Sequence, residues 1–66
     1  MNKVRGYRNM LRLNQTEMAK KLSISKNSYY LKEVGKVQFT DQEKGIIKEM
    51  LKPMFPSITI DDIFFS

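Results

Sequence analysis

Between Asn14 and Lys36 the side chains able to do chemistry are hydrogen-bond donors and bases, gathered at two predicted helix starts. Asn14 and Gln15 open one; Ser25 opens the other, followed by the outward residues Lys26, Asn27, Ser28 and Tyr30. Only Glu17 and Glu33 are acidic in this stretch. Donors with so few acids suit a polyanion, because amide N–H groups and the positive end of a helix dipole attract a phosphate oxygen. Catalysis is not expected. With no His and no Cys there is no Ser-His or Cys-His set and no thiolate or imidazole metal ligand. Asp61 and Asp62 are adjacent and point in different helical directions, so a paired acid and base is not indicated, and no glycine-rich phosphate loop exists.

The elements that would position these residues are helices. Val4, Tyr7 and Leu11 share one face of a helix over residues 2–11. Asn14 with Glu17 is a capping box that starts a second helix at Gln15, with Met18, Ala19 and Leu22 as its core face and an end near Leu22. Ser23, Ile24 and Ser25 form a short connection, and Ser25 caps a third helix from Lys26 to about Glu33, ended by Gly35. Thr40 with Glu43 opens a fourth, carrying Ile46, Ile47, Met50 and Leu51 and stopped by Pro53. Thr59 with Asp62 caps a last short turn with Ile60, Ile63 and Phe64. The reading is an all-α chain of five helices in one domain, 1–66, with no repeat and no low-complexity linker.

Composition bounds the partners. Sixty-six residues support one modest core. Nine bases stand against two acids in residues 1–36, whereas three bases stand against five acids in residues 37–66. One half is basic, which points to a polyanion. No apolar run reaches the roughly 18 residues needed to span a bilayer. The N-terminus lacks the continuous apolar stretch of a signal peptide. A soluble, unprocessed, intracellular protein is expected, with no cofactor, no metal and no small-molecule substrate.

Two capped helices joined by about three residues describe a helix-turn-helix, whose second helix enters the major groove of DNA while the first lies across the backbone. From about Val4 to Phe64 the chain resembles the phage Cro and repressor family, the lambda-repressor-like domains. Gln15 opens the second helix, Met18-Ala19 stands where the family has Leu-Ala, Ile24 and Ser25 follow the turn, and Glu33 and Gly35 match the family's Glu-x-Gly. "ITIDDIFF" resembles the family's last helix. Arg8 occupies the family's helix-one arginine, which in relatives pairs with the acid matching Glu33, so the resemblance implies a structural ion pair.

The resemblance also implies roles. Asn14 and Gln15 match phosphate-contacting positions, and Lys36 a basic backbone contact after the third helix; Ser28 and Tyr30 are assigned to phosphate as well. Lys26 and Asn27 match the base-reading start of the recognition helix, where Lys donates to guanine and Asn bridges adenine. Leu31 matches a further base-facing position and offers an apolar contact, for example to a thymine methyl. Three places stay open to Tyr30: a phosphate, a neighbour of Leu31, or the underside of the loop. Departures are specific. Ser23 stands where relatives have Gly, so a positive φ there would be strained; Lys32 stands at a usual core position; Val34 replaces a frequent Asn.

The remaining apolar residues are expected in the core. Tyr7, Tyr29 and the five methionines belong there, while Lys20 and Lys21 have two places open, a solvated face or the DNA duplex. Phe55, Ile58, Ile63, Phe64 and Phe65 have two places open: closing the core, or supplying a symmetric dimer interface. The expected function is a sequence-specific regulator of transcription in a phage or mobile element. As a homodimer in the bacterial cytoplasm it would occupy a double-stranded DNA operator with an inverted repeat. The alternative is a protein-interaction module of the same fold, an antitoxin or repressor modulator. An anionic membrane surface is the least favoured partner, because the bases are spread over several helix faces.

Overall fold

Four helices begin at a residue whose side-chain oxygen accepts a backbone N–H three residues on, with Asn14, Ser25, Thr40 and Thr59 in that role. A computed structural model describes residues 2–65 as α1 (Val4–Met10), α2 (Gln15–Lys21), α3 (Lys26–Glu33), α4 (Asp41–Leu51) and α5 (Ile60–Phe64). No strand occurs among the described residues, and no helix of theirs is long and apolar enough to cross a membrane. α1 is shorter than the 2–11 expected. Asn2 sits outside it and Asn2 Oδ1 accepts from Val4 N at 3.1 Å, while Leu11 is already the C-cap.

α1, α2 and α3 all end in the same motif. After each C-cap comes one residue in the left-handed region: Arg12 (φ 59°), Ser23 (φ 59°) and Gly35 (φ 90°). Each donates its N–H back to a last-turn carbonyl, on Asn9, Lys20 and Lys32 respectively. The following N–H groups of Leu13, Ile24 and Lys36 reach one residue deeper, to Arg8, Ala19 and Leu31. These paired bonds are the Schellman ending, which satisfies orphan carbonyls and reverses the chain tightly. The positive φ expected to strain Ser23 is present, and Arg12 shares it.

Val4, Met18, Tyr29, Ile47, Leu51 and Ile63 are fully enclosed, so every helix contributes to one core. Phe39, in the α3–α4 connection, stands edge-on between Tyr29 and Phe64, with ring centroids 6.1 and 5.4 Å away. Tyr7 packs edge-on against Phe55 at 5.7 Å. Ile58, Ile63 and Phe64 are buried and Phe55 is partly so, which leaves Phe65 alone well exposed, at 61%. Ile58, Ile63 and Phe64 therefore close the core, with Phe55 packed against it. The methionines divide: Met18 is buried and Met50 half-buried, but Met10 and Met54 are exposed. Met1 lies outside the described residues.

Candidate nucleic-acid interface

α2 and α3 pack against each other across the connection 22–25, and α3 offers two faces. Tyr29 and Glu33, one turn apart, are buried. Lys26, Asn27, Tyr30 and Val34 are exposed, with Leu31 half-buried beside them. Spacings of three and four residues place Asn27, Tyr30, Leu31 and Val34 along one side of the helix. That side holds no acid.

The buried face is held by charge. Arg8 Nε donates to Glu33 Oε2 at 2.8 Å and Arg8 Nη2 to Oε1 at 3.2 Å, a bidentate pair, while Nη1 donates to the Leu13 carbonyl at 2.9 Å. Gln15 Nε2 donates to Glu33 Oε1 at 3.1 Å and the Tyr29 hydroxyl to Oε2. Burial acts to raise the Glu33 pKa, but the hydrogen bonds from Arg8, Tyr29 and Gln15, with the charge of Arg8, hold it below the ordinary carboxylate value. The same pair raises Arg8, chiefly through its hydrogen bond to Glu33. Burial, then Glu33, pushes the Tyr29 phenol well up. One carboxylate thus accepts four donors from α1, α2 and α3. Its oxygens are committed to these bonds and its charge is balanced by Arg8.

Above this pair lies a surface depression walled by Asn2, Arg5, Gln15, Tyr30 and Val34. It brings Gln15 and Tyr30 together, two of the residues assigned to phosphate. It adds Arg5 and Asn2, which the sequence reading left unassigned. Arg5 is three residues before Arg8 and so on the same side of α1, a spacing that could have flagged it. Gln15 spends one amide N–H on Glu33 and keeps the second. Arg5, that N–H and the Tyr30 hydroxyl are thus three donors lining one depression.

The other residues lie outside the depression. Lys26 and Asn27 are exposed at the first turn of α3, and Lys36 is exposed in the loop after it. Ser28 is half-buried, and its backbone N–H is spent on Ser25 Oγ at 3.1 Å. At the α2 start the expected free helix N-terminus is partly occupied. Asn14 Oδ1 accepts from Glu17 N at 2.7 Å, and Asn14 N donates to Glu17 Oε1 at 2.9 Å. This box places a carboxylate beside the expected phosphate position and spends the N–H groups of Asn14 and Glu17, while the backbone N–H groups of Gln15 and Thr16 and the exposed Asn14 amide remain as donors.

Lys32 takes a course of its own. At a position expected to be apolar, Lys32 Nζ donates to both oxygens of Glu43, at 2.7 and 2.8 Å. Glu43 also accepts from Thr40 N at 2.9 Å. Its pKa is pushed up by burial but brought below the ordinary value by the Lys32 and Thr40 bonds. No group of three or more potential metal-ligating side chains gathers among the described residues. No family model matches this chain, and no curated protein or solved structure matches it. What the surface can do is accordingly read from its own residues.

Proposed function

We propose that the chain is a sequence-specific double-stranded DNA-binding regulator of the Cro and repressor type. In this reading α2 and α3 form a lambda-repressor-like helix-turn-helix, and α3 is the helix that enters the major groove. The observation that carries the proposal is the division of α3. Its outward side is free of acid and begins with the exposed donors Lys26 and Asn27, while its inward side is anchored by Glu33 to α1 and by Lys32 to α4. An anchored helix presenting donors can read base edges with a defined geometry. The depression walled by Arg5, Gln15 and Tyr30 would seat one backbone phosphate and fix the register, with Asn14 and Lys36 as outlying phosphate contacts. Regulation would follow from occupancy of the operator, by two copies on an inverted repeat if the resemblance carries over.

Selection from a randomised duplex pool at near-physiological salt tests this. The expected result is an enriched site whose binding weakens steeply with salt, roughly a thousandfold between 50 and 200 mM for about six neutralised phosphates. Absence of enrichment overturns it. A second reading, a protein-interaction module, is favoured by the exposure of Tyr30, Val34 and Val37, apolar surface that a phosphate backbone does not need. Binding through those residues would change little with salt.

A further inference from the structure

Arg12 holds φ 59° with a full side chain, in the left-handed region where a Cβ is strained. Its backbone role is the one Gly35 fills after α3: each donates its N–H to a last-turn carbonyl, and the next residue reaches one deeper. Glycine meets that role without strain. Nothing in the turn calls for an arginine. Its side chain is exposed and makes no ion pair among the described residues.

Charge around it is sparse. From Asn9 to Ala19 the chain carries one base, Arg12, and one acid, Glu17. The Glu17 carboxylate is held at the α2 start by the bond from Asn14 N at 2.9 Å, and Arg8, just before this stretch, is committed to Glu33. Arg12 is therefore the one base in this stretch able to offset Glu17 where the chain enters α2. Its place is fixed from both sides. The carbonyl of Leu13, the next residue, accepts from Arg8 Nη1 at 2.9 Å, and Arg8 and Gln15 both line the depression that takes in Arg5 and Tyr30. Gln15 is only three residues on, a span of at most about 11 Å. We propose that Arg12 is a further phosphate-binding residue of the duplex interface, holding the backbone phosphate next to the one seated in the Arg5–Tyr30 depression. The inference rests on the DNA reading above. The strain of a left-handed arginine falls on the free protein, and the gain from its charge falls on the complex.

Stability and binding should move in opposite directions. Arg12→Gly removes both strain and charge, so it should melt a few degrees above wild type and yet bind the selected duplex more weakly. Losing one neutralised phosphate lowers the slope of log affinity against log salt by about 0.9, which is roughly a fivefold loss at 0.15 M salt and none at 1 M. Arg12→Ala keeps the Cβ, and should lose the same binding while melting close to wild type. Arg12→Lys keeps the Cβ and the charge, and should match wild type in both. Thermal melts followed by circular dichroism and anisotropy titrations at several salt concentrations give the two readouts. A stabilised R12G with an unchanged slope would mean that position 12 serves the turn alone, and overturns the proposal. So does a slope that falls as far in R12K as in R12A. Lys26→Ala reports on the DNA reading itself. If K26A weakens the selected site and R12G does not, this inference fails and the reading stands; if the randomised pool yields no site, both fail.

Discussion

The ammonium of Lys32 lies 2.7 and 2.8 Å from the two carboxylate oxygens of Glu43, and both side chains are almost enclosed. The next residue, Glu33, about 100° further round the helix, holds Arg8. Two consecutive residues near the end of α3 thus tie it in two directions, to α1 and to the start of α4. A helix of eight residues has little intrinsic stability, so its orientation depends on such ties and on burial of Tyr29.

Lys32→Met should destabilise the fold by about 3 kcal/mol, because it leaves the Glu43 carboxylate enclosed without its counter-charge. Adding Glu43→Gln should recover most of the loss: the neutral amide oxygen can still accept from Thr40 N, and no buried charge remains. Urea denaturation of the single and double variants measures both. A single variant as stable as wild type would mean that the pair contributes no net energy.

Acid should unfold the chain through these same carboxylates. Glu33 and Glu43 are both held below their ordinary pKa. The native state therefore binds fewer protons than the unfolded chain near pH 4, and their stabilisation is complete above the unfolded value of about 4.3. It is lost as pH falls through the lower folded values. The urea midpoint should be flat from neutral pH to about 5 and drop below that. Glu33→Gln should start lower and drop less.

The turn residues offer a local test. Ser23 holds φ 59° with a side chain, whereas Gly35 holds φ 90° without one. Ser23→Gly should stabilise by about 1 kcal/mol, and Gly35→Ala should destabilise by a similar amount although a Cβ there meets no atom within 4 Å. Thermal melts that move in opposite directions would bear this out.

What was legible in the sequence was local. A cap spans four residues, so Asn14, Ser25, Thr40 and Thr59 marked their helices, and the exposed start of α3 followed from its cap. Contacts between elements were not legible in the same way. Glu43 already had a role as the capping acid of α4, which hid its second role as partner of Lys32. Arg8 and Glu33 were paired through the family resemblance, because 25 residues separate them and no local pattern joins them. Ile63 and Phe64 had an apolar periodicity that fits a core and a dimer surface equally; only the placement of Phe39 beside Phe64 decides between them. No sequence signal marks Arg12 as left-handed, since arginine has no preference for that region. Its position one residue past a C-cap, repeated at Ser23 and Gly35, emerges only from the chain path.

The division of labour proposed for the DNA surface predicts two classes of variant. Lys26→Ala and Asn27→Ala should each cost about 1 to 3 kcal/mol at the preferred site and relax the choice of base at one position, while binding to unrelated duplexes changes less. Arg5→Ala should weaken every duplex by a similar factor and lower the slope of log affinity against log salt by about one, since one phosphate charge is no longer neutralised. Tyr30→Phe should also weaken all sequences alike but leave the slope intact, because it removes a neutral donor. Fluorescence anisotropy titrations at several salt concentrations, with the selected site and a scrambled one, separate these outcomes. If Arg5→Ala left the salt slope unchanged, the depression would not hold a phosphate. If Lys26→Ala and Asn27→Ala bound all sites as tightly as wild type, α3 would not be the reading helix.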